Sequence, residues 1–285
     1  MASYEHLSGK FVKVSSPEPH ILLVELARKP VNAFSDEFWE EFGSVFDKIG
    51  LEPDVRVVVL ASALPKLFSG GIDFAGLGSK PDYQKDVARR GLQTHHQLKR
   101  FQHAIGAPER CPFPVIVAIH GATVGLAVEI ISACDIRLAA EDTKFSIKEA
   151  QIGLAADIGS LARVPKIAGN QSLVRELALT ARDFSAVEGE KLGLVSRVVS
   201  GSRNEVIEEA LKVARLISAN SPIAVVGTKR VLLHSRDSTV DENLEYVATW
   251  NASMLQSVDL EVAVNAAKAK QAPKYPAIGK IGSKL

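Results

Sequence analysis

The sequence predicts an α/β fold on two observations: β-branched apolar runs recur through the first half of the chain, and segments of helical periodicity stand between them. After about residue 204 only helical patterns remain. The first run, ILLVELA at 21–27, is apolar almost throughout, as a strand covered on both faces is. Next, SDEFWEEFGSVFDKIG places Phe38, Phe42, Val45, Phe46 and Ile49 on one stripe. Ser35 stands where a cap belongs, Asp36 and Glu37 suit the positive end of the dipole, and Gly50 closes the helix. VRVVVLAS (55–62), PVIVAIHG (114–121) and DIRLAA (135–140) are further buried strands. A helical segment at about 84–105 carries His95, His96 and His103, whose spacing gives no metal face, so they read as structural or solvated. His120, at a strand end, reads as satisfying backbone groups. NEVIEEALKVARLISAN, then PIAVVGTKRVLLHSRD with Pro222 near its start, then one long segment from Val240 to about Gln271 form a helical C-terminal layer. Leu244, Val247, Ala248, Met254 and Leu255 face either the chain's own core or a subunit contact. The expected division is a core at 1–203 and a helical region at 204–285.

With 285 residues, 46% of them hydrophobic and 24% charged, the chain can bury one sizeable core. A formal net charge of +1 and the lack of any long like-charge run argue against nucleic acid as a partner. Cys111 and Cys134 show no metal-ligand or CxxC spacing and are expected as free thiols, with no metal site. No apolar run reaches the eighteen or so residues of a membrane span. The polar start MASYEHLSGK has no signal-peptide core, so a soluble, non-secreted protein is expected. Ser283, Lys284 and Leu285 spell the peroxisomal import address, which predicts the import receptor as partner and the peroxisomal matrix as compartment.

Three carboxylates in apolar company are the candidate chemistry: Glu129 in GATVGLAVEIISACD, and Glu149 and Asp157 in IKEAQIGLAADIG. Acids are costly to bury without a use for them. Glu129, between Val128 and Ile130, has no solvated face to occupy. Glu149 can also be read as a surface acid at a strand end, and Asp157 as a cap before IGSLARV. FSGGIDF reads as a glycine turn after a strand, with Asp73 able to cap a helix after it. Arg28 and Lys29, before Pro30, read as ordinary surface charges flanking a strand.

FSGGIDFAGL (68–77), AIHGATVGLAVEIISACDIRLAAEDTKFSI and ARKPVNAF (27–34) resemble the enoyl-CoA hydratase/isomerase (crotonase) superfamily over nearly the whole chain. KEAQIGLAADIGSLARVPKIAGNQSLVRELALTARDFSA, LGLVSRV and VDENLEYVATWNASMLQ are similar to its Δ3,5-Δ2,4-dienoyl-CoA isomerase branch. The resemblance implies a four-turn ββα spiral core with a C-terminal helical trimerisation layer, assembled as a homotrimer or a hexamer of two trimers. It implies an acyl-CoA thioester whose carbonyl is held by the backbone N–H groups of Ile72 and Leu126, with Gly70, Gly71, Asp73, Phe74 and Lys29 lining the substrate. Leu126, where the family has glycine, must point its side chain away from the thioester. Glu149 is implied as the base at carbon 2 and Asp157 as the acid at carbon 6, both near neutral pKa in an apolar tunnel. No metal or redox cofactor is implied. Glu129 stands where that branch has aspartate; paired with Glu149 it matches the hydratases, which hold a water between two glutamates. A 2-enoyl-CoA hydratase is therefore the nearer alternative, and a non-catalytic acyl-CoA-binding protein the other.

Overall fold

Strands and helices alternate in the computed structural model, which describes residues 4–76 and 86–279. β1 (Val12–Glu18) pairs antiparallel with β2 (Ile21–Leu26), and α1 (Asp36–Ile49) comes next. Strand–strand–helix units then succeed one another: β3 (Val57–Ser62), β4 (Leu67–Ser69) and α2 (Val87–Ile105), extended by the short α3 (Ala107–Arg110); β5 (Val115–Ile119), β6 (Ala122–Val124) and α4 (Leu126–Ser132); β7 (Ile136–Ala140), β8 (Lys144–Ser146) and α5 (Ser160–Ile167). α6 (Gln171–Thr180), β9 (Phe184–Ser185), α7 (Ala186–Leu192) and β10 (Arg197–Val199) lead to the C-terminal helices α8 (Arg203–Ser218), α9 (Pro222–Ser235), α10 (Val240–Met254) and α11 (Val258–Lys268). Each unit gives its first strand to a six-stranded sheet ordered β1-β2-β3-β5-β7-β10 and its second to a four-stranded sheet ordered β4-β6-β8-β9. This is the ββα spiral that the resemblance implies.

The long strands read as unbroken apolar runs because both faces of the large sheet are covered. Leu22, Val24, Val58, Leu60, Val115 and Val117 point into the main core, which α1 roofs with Phe38, Phe42, Val45, Phe46 and Ile49. Their neighbours Ile21, Val57, Val59, Ile116 and Ala118 point the other way, into a second core closed by Val206, Ala210 and Ala214 of α8. The boundary expected near residue 204 thus coincides with the start of a helix that covers the sheet itself. β4, β6 and β8 were not legible because each is 3 residues long and carries serine, threonine or lysine.

Some expectations are corrected. Ser35 occupies the N-cap position of α1, but its side chain makes no capping bond. The single helix expected from Val240 to Gln271 is two, because Ser257 accepts a hydrogen bond from the Asp259 N–H and starts α11 afresh. No residue of α10 is buried, so Leu244 and Leu255, at 60% and 65% exposed, do not serve the chain's own core. His95, His96 and His103 are exposed on α2, of which residues 84 and 85 of the expected segment lie outside the described residues. His120 is buried and bonds the Leu64 carbonyl at 2.8 Å. Cys111 and Cys134 are both buried and free. The tripeptide Ser283, Lys284 and Leu285 also lies outside the described residues.

α9 is tied to the core by Lys229, only 6% exposed, whose Nζ lies 2.7 Å from Asp135 Oδ2 and donates to the carbonyls of Pro108 and Phe113 at 2.9 and 3.0 Å. Lys229→Ala strands Asp135 without its counter-charge and is expected to destabilise the protein by about 3–5 kcal/mol, read as a lowered urea midpoint.

Candidate active site

Parallel pairing of β4 with β6, Leu67 opposite Ala122 and Ser69 opposite Thr123, brings the loops at their C-terminal ends side by side. Gly71 and Gly125, each immediately before a candidate amide donor, have φ of +93° and +54°. A Cβ on Gly71 would stand 2.8 Å from the Val124 carbonyl oxygen, so only glycine lets the two backbones approach this closely. The same virtual atom is 3.7 Å from the Leu126 nitrogen, which measures how near the two donor loops lie. Phe34 N–H donates to Gly71 O at 2.8 Å and Asp73 N–H to Phe34 O at 3.0 Å, so the N–H of Ile72 between them is turned to the other side. Among the described residues, neither the Ile72 nor the Leu126 N–H donates a hydrogen bond. Leu126 is 4% exposed and its side chain packs in the main core, as a donor whose side chain must keep clear of a ligand requires. Gly70, whose N–H donates to Val31 O at 2.8 Å, completes the first loop.

The acids gather behind these loops. Glu129 is 2% exposed in α4, every residue of which is buried. Its Oε1 accepts from the Ile158 N–H and the Ser160 hydroxyl, both at 3.3 Å. Burial, reinforced by the Glu149 charge, pushes its pKa up to about 7. Glu149 begins the 3-10 turn Glu149–Ile152 and is 9% exposed, which is not a surface strand-end acid. Its Oε1 lies 3.2 Å from where a Cβ on Gly125 would be, and its Oε2 is buried without a hydrogen-bond partner among the described residues. Its pKa is raised by burial, with the Asp157 charge adding to the effect. Asp157 is exposed, which corrects the expectation that it shares the apolar surroundings of Glu149; burial acts on Glu129 instead. The cap reading of Asp157 also fails, because the N-cap of α5 is Gly159 and the Asp157 carboxylate makes no hydrogen bond among the described residues.

Sequence reasoning missed Gln102, whose Nε2 donates to the Asp157 carbonyl at 2.7 Å, and Ser160 beneath it. Only the three-residue step from Asp157 to Ser160 hinted at the second. Asp73, expected either to line the substrate or to cap a following helix, accepts from the Ala75 N–H at 3.0 Å and from Arg28 Nη2 at 2.6 Å, bonds that keep its pKa below the usual carboxylate range. Arg28 is correspondingly engaged, donating also to the Ala33 carbonyl at 2.5 Å, whereas Lys29 and the 61% exposed Phe74 stay open to solvent at the same rim.

The Glu129 shift has a consequence for stability. An unfolded carboxyl loses its proton near pH 4.5, whereas folded Glu129 keeps it to about pH 7, so the contribution of Glu129 to stability falls as pH rises between those values and is constant above them. Glu129→Gln removes that penalty, about 3 kcal/mol, and keeps an acceptor oxygen. Its Tm is expected to exceed the wild type's by about 5 °C at pH 8 and to match it at pH 4.

The profile of the enoyl-CoA hydratase/isomerase family matches residues 17–276. The chain belongs to that family. Within it, the chain is 45% identical over 267 residues to the human mitochondrial Δ(3,5)-Δ(2,4)-dienoyl-CoA isomerase, covering 93% of this chain and 79% of that one. It is likewise 45% identical over 248 residues to the peroxisomal enzyme of that name from Arabidopsis thaliana, covering 86% and 88%. Among solved structures, an enoyl-CoA hydratase from Bacillus anthracis superposes with a TM-score of 0.84 at 27% identity, covering 93% of this chain and 99% of that one. The family fold therefore extends over the paired sheets and the C-terminal helices alike.

Proposed function

We propose that this protein isomerises 3,5-dienoyl-CoA thioesters to 2,4-dienoyl-CoA thioesters. The observation that carries the reading is Glu149 Oε2, a buried carboxylate oxygen without a partner beside the Gly125 loop, with a second carboxyl, Asp157, near enough to raise its pKa and free of capping duty. The relatives named dienoyl-CoA isomerase support it. The Ile72 and Leu126 amides hold the thioester oxygen, and Glu149 takes a proton from carbon 2. The electron pair enters the dienolate, whose charge those amides stabilise. Asp157 gives a proton to carbon 6, which leaves double bonds at carbons 2 and 4, and the proton returns from Glu149 to Asp157 between turnovers. One proton and two double bonds move, so the scheme uses no metal or redox group. Purified protein with 3,5-octadienoyl-CoA is expected to give the red-shifted absorbance of a 2,4-dienoyl thioester. No rise, with water added to a 2-enoyl-CoA instead, makes Glu129 and Glu149 a hydratase pair. Tight acyl-CoA binding with turnover of neither substrate leaves a binding protein.

We also propose a homotrimer or hexamer joined through α9–α11, supported by the exposed Leu232, Leu244, Leu255 and Leu260; native mass decides. The peroxisomal matrix is the proposed compartment. The Arabidopsis relative is named peroxisomal and the human one mitochondrial, so import of a fluorescent fusion, with and without Ser283, Lys284 and Leu285, is the test.

A further inference from the structure

Asp157 is attached to a peptide unit gripped at both ends. The carbonyl of the Asp157–Ile158 peptide accepts from Gln102 Nε2 of α2 at 2.7 Å, and the N–H of that same peptide donates to Glu129 Oε1 of α4 at 3.3 Å. Ser160, 1% exposed, donates its hydroxyl to the same Glu129 oxygen at 3.3 Å and so fixes the first turn of α5 to that anchor. A peptide group is planar, so holding its oxygen from one side and its nitrogen from the other leaves it no rotation about the chain. The Asp157 carboxylate has no hydrogen bond of its own among the described residues, so this peptide, which fixes the Cα from which the side chain grows, is the hold the structure shows on its position.

We infer that Gln102, Glu129 and Ser160 are positioning residues that lock the Asp157–Ile158 peptide and thereby aim the Asp157 carboxyl at the distal end of the substrate's diene. The inference rests on the isomerase reading. It assigns Glu129 a structural hold on the acid, with Glu149 and Asp157 alone exchanging protons with substrate. Loss of the clamp at Gln102 or Ser160 then slows proton delivery at carbon 6 and spares proton removal at carbon 2, because neither side chain hydrogen-bonds to Glu149 or to the Gly71 and Gly125 loops.

Both halves of the reaction can be monitored in D2O with 3,5-octadienoyl-CoA: deuterium entering carbon 2 of recovered substrate, and appearance of the 2,4-dienoyl product. Gln102→Met keeps the side chain's length without its donor, and Ser160→Ala removes the inner hydroxyl. Each is expected to lower kcat for product by roughly ten- to a hundred-fold, the effect of a misplaced group, with KM within about twofold and carbon 2 exchange within about threefold. Glu129→Gln, which still presents an acceptor oxygen, is expected to keep product formation within about threefold. Parallel loss of exchange and product in Gln102→Met, no loss in either measurement, or a Glu129→Gln enzyme as dead as Asp157→Asn overturns the inference. Wild-type protein that forms no 2,4-dienoyl product overturns the isomerase reading instead, so the two failures are distinct.

Discussion

Glu149→Gln is expected to lower kcat for dienoyl isomerisation by about 10³- to 10⁴-fold, at the upper end of what a positioned general base contributes. The amide has the shape of the carboxyl and no basic oxygen, and at 9% exposure the site admits no easy replacement from solvent. Folding is unharmed, because a neutral amide is less costly to bury than a carboxylate. KM is expected to stay within about twofold, since the proposed scheme assigns thioester binding to the Ile72 and Leu126 amides. As the proposed base, Glu149 must be ionised, and burial raises its pKa, so kcat/KM is expected to climb with pH through a limb lying above the usual carboxylate range. Stopped assays across pH 4 to 9 check both. A variant within about tenfold of wild type removes Glu149 from the proton transfer.

Gly71→Ala is expected to lower kcat by about 10²- to 10³-fold, as losing one oxyanion donor does. The new methyl would sit 2.8 Å from the Val124 carbonyl oxygen, and the position's φ of +93° disfavours any side chain. The backbone yields by moving the two loops apart, which draws the Ile72 N–H away from the thioester oxygen while Glu149 and Asp157 stay in place. A modest fall in Tm accompanies the change. Unchanged kcat with the same fall in Tm shows that this turn is merely a turn.

How much could be read beforehand depended on the physical signal each feature leaves. Strands β2, β3, β5 and β7 announced themselves because burial on two faces demands long β-branched runs. The small sheet left no such signal: its strands owe their existence to pairing with one another, a long-range property. Glu129 was legible as buried from Val128 and Ile130 beside it. Asp157 was legible only as a candidate, because its exposure depends on where α2 and α5 leave the loop. Gln102 was invisible, as its partner is a backbone oxygen 55 residues away in sequence. The engagement of Arg28 by Asp73 across 45 residues was hidden for the same reason.

The parallel register of β4 and β6 has a consequence for how such a site changes over time. Because the separation of the Ile72 and Leu126 amides is set by which residues pair upstream, Ser69 with Thr123, the proposed electrophilic grip is a property of main chain and alignment. The side chains at 72 and 126 take no part in it, whereas an insertion or deletion of one residue before either glycine shifts a donor by a full step. Point substitution can therefore reshape what the pocket accepts and leave the proposed carbonyl grip in place, whereas a length change within the paired strands cannot.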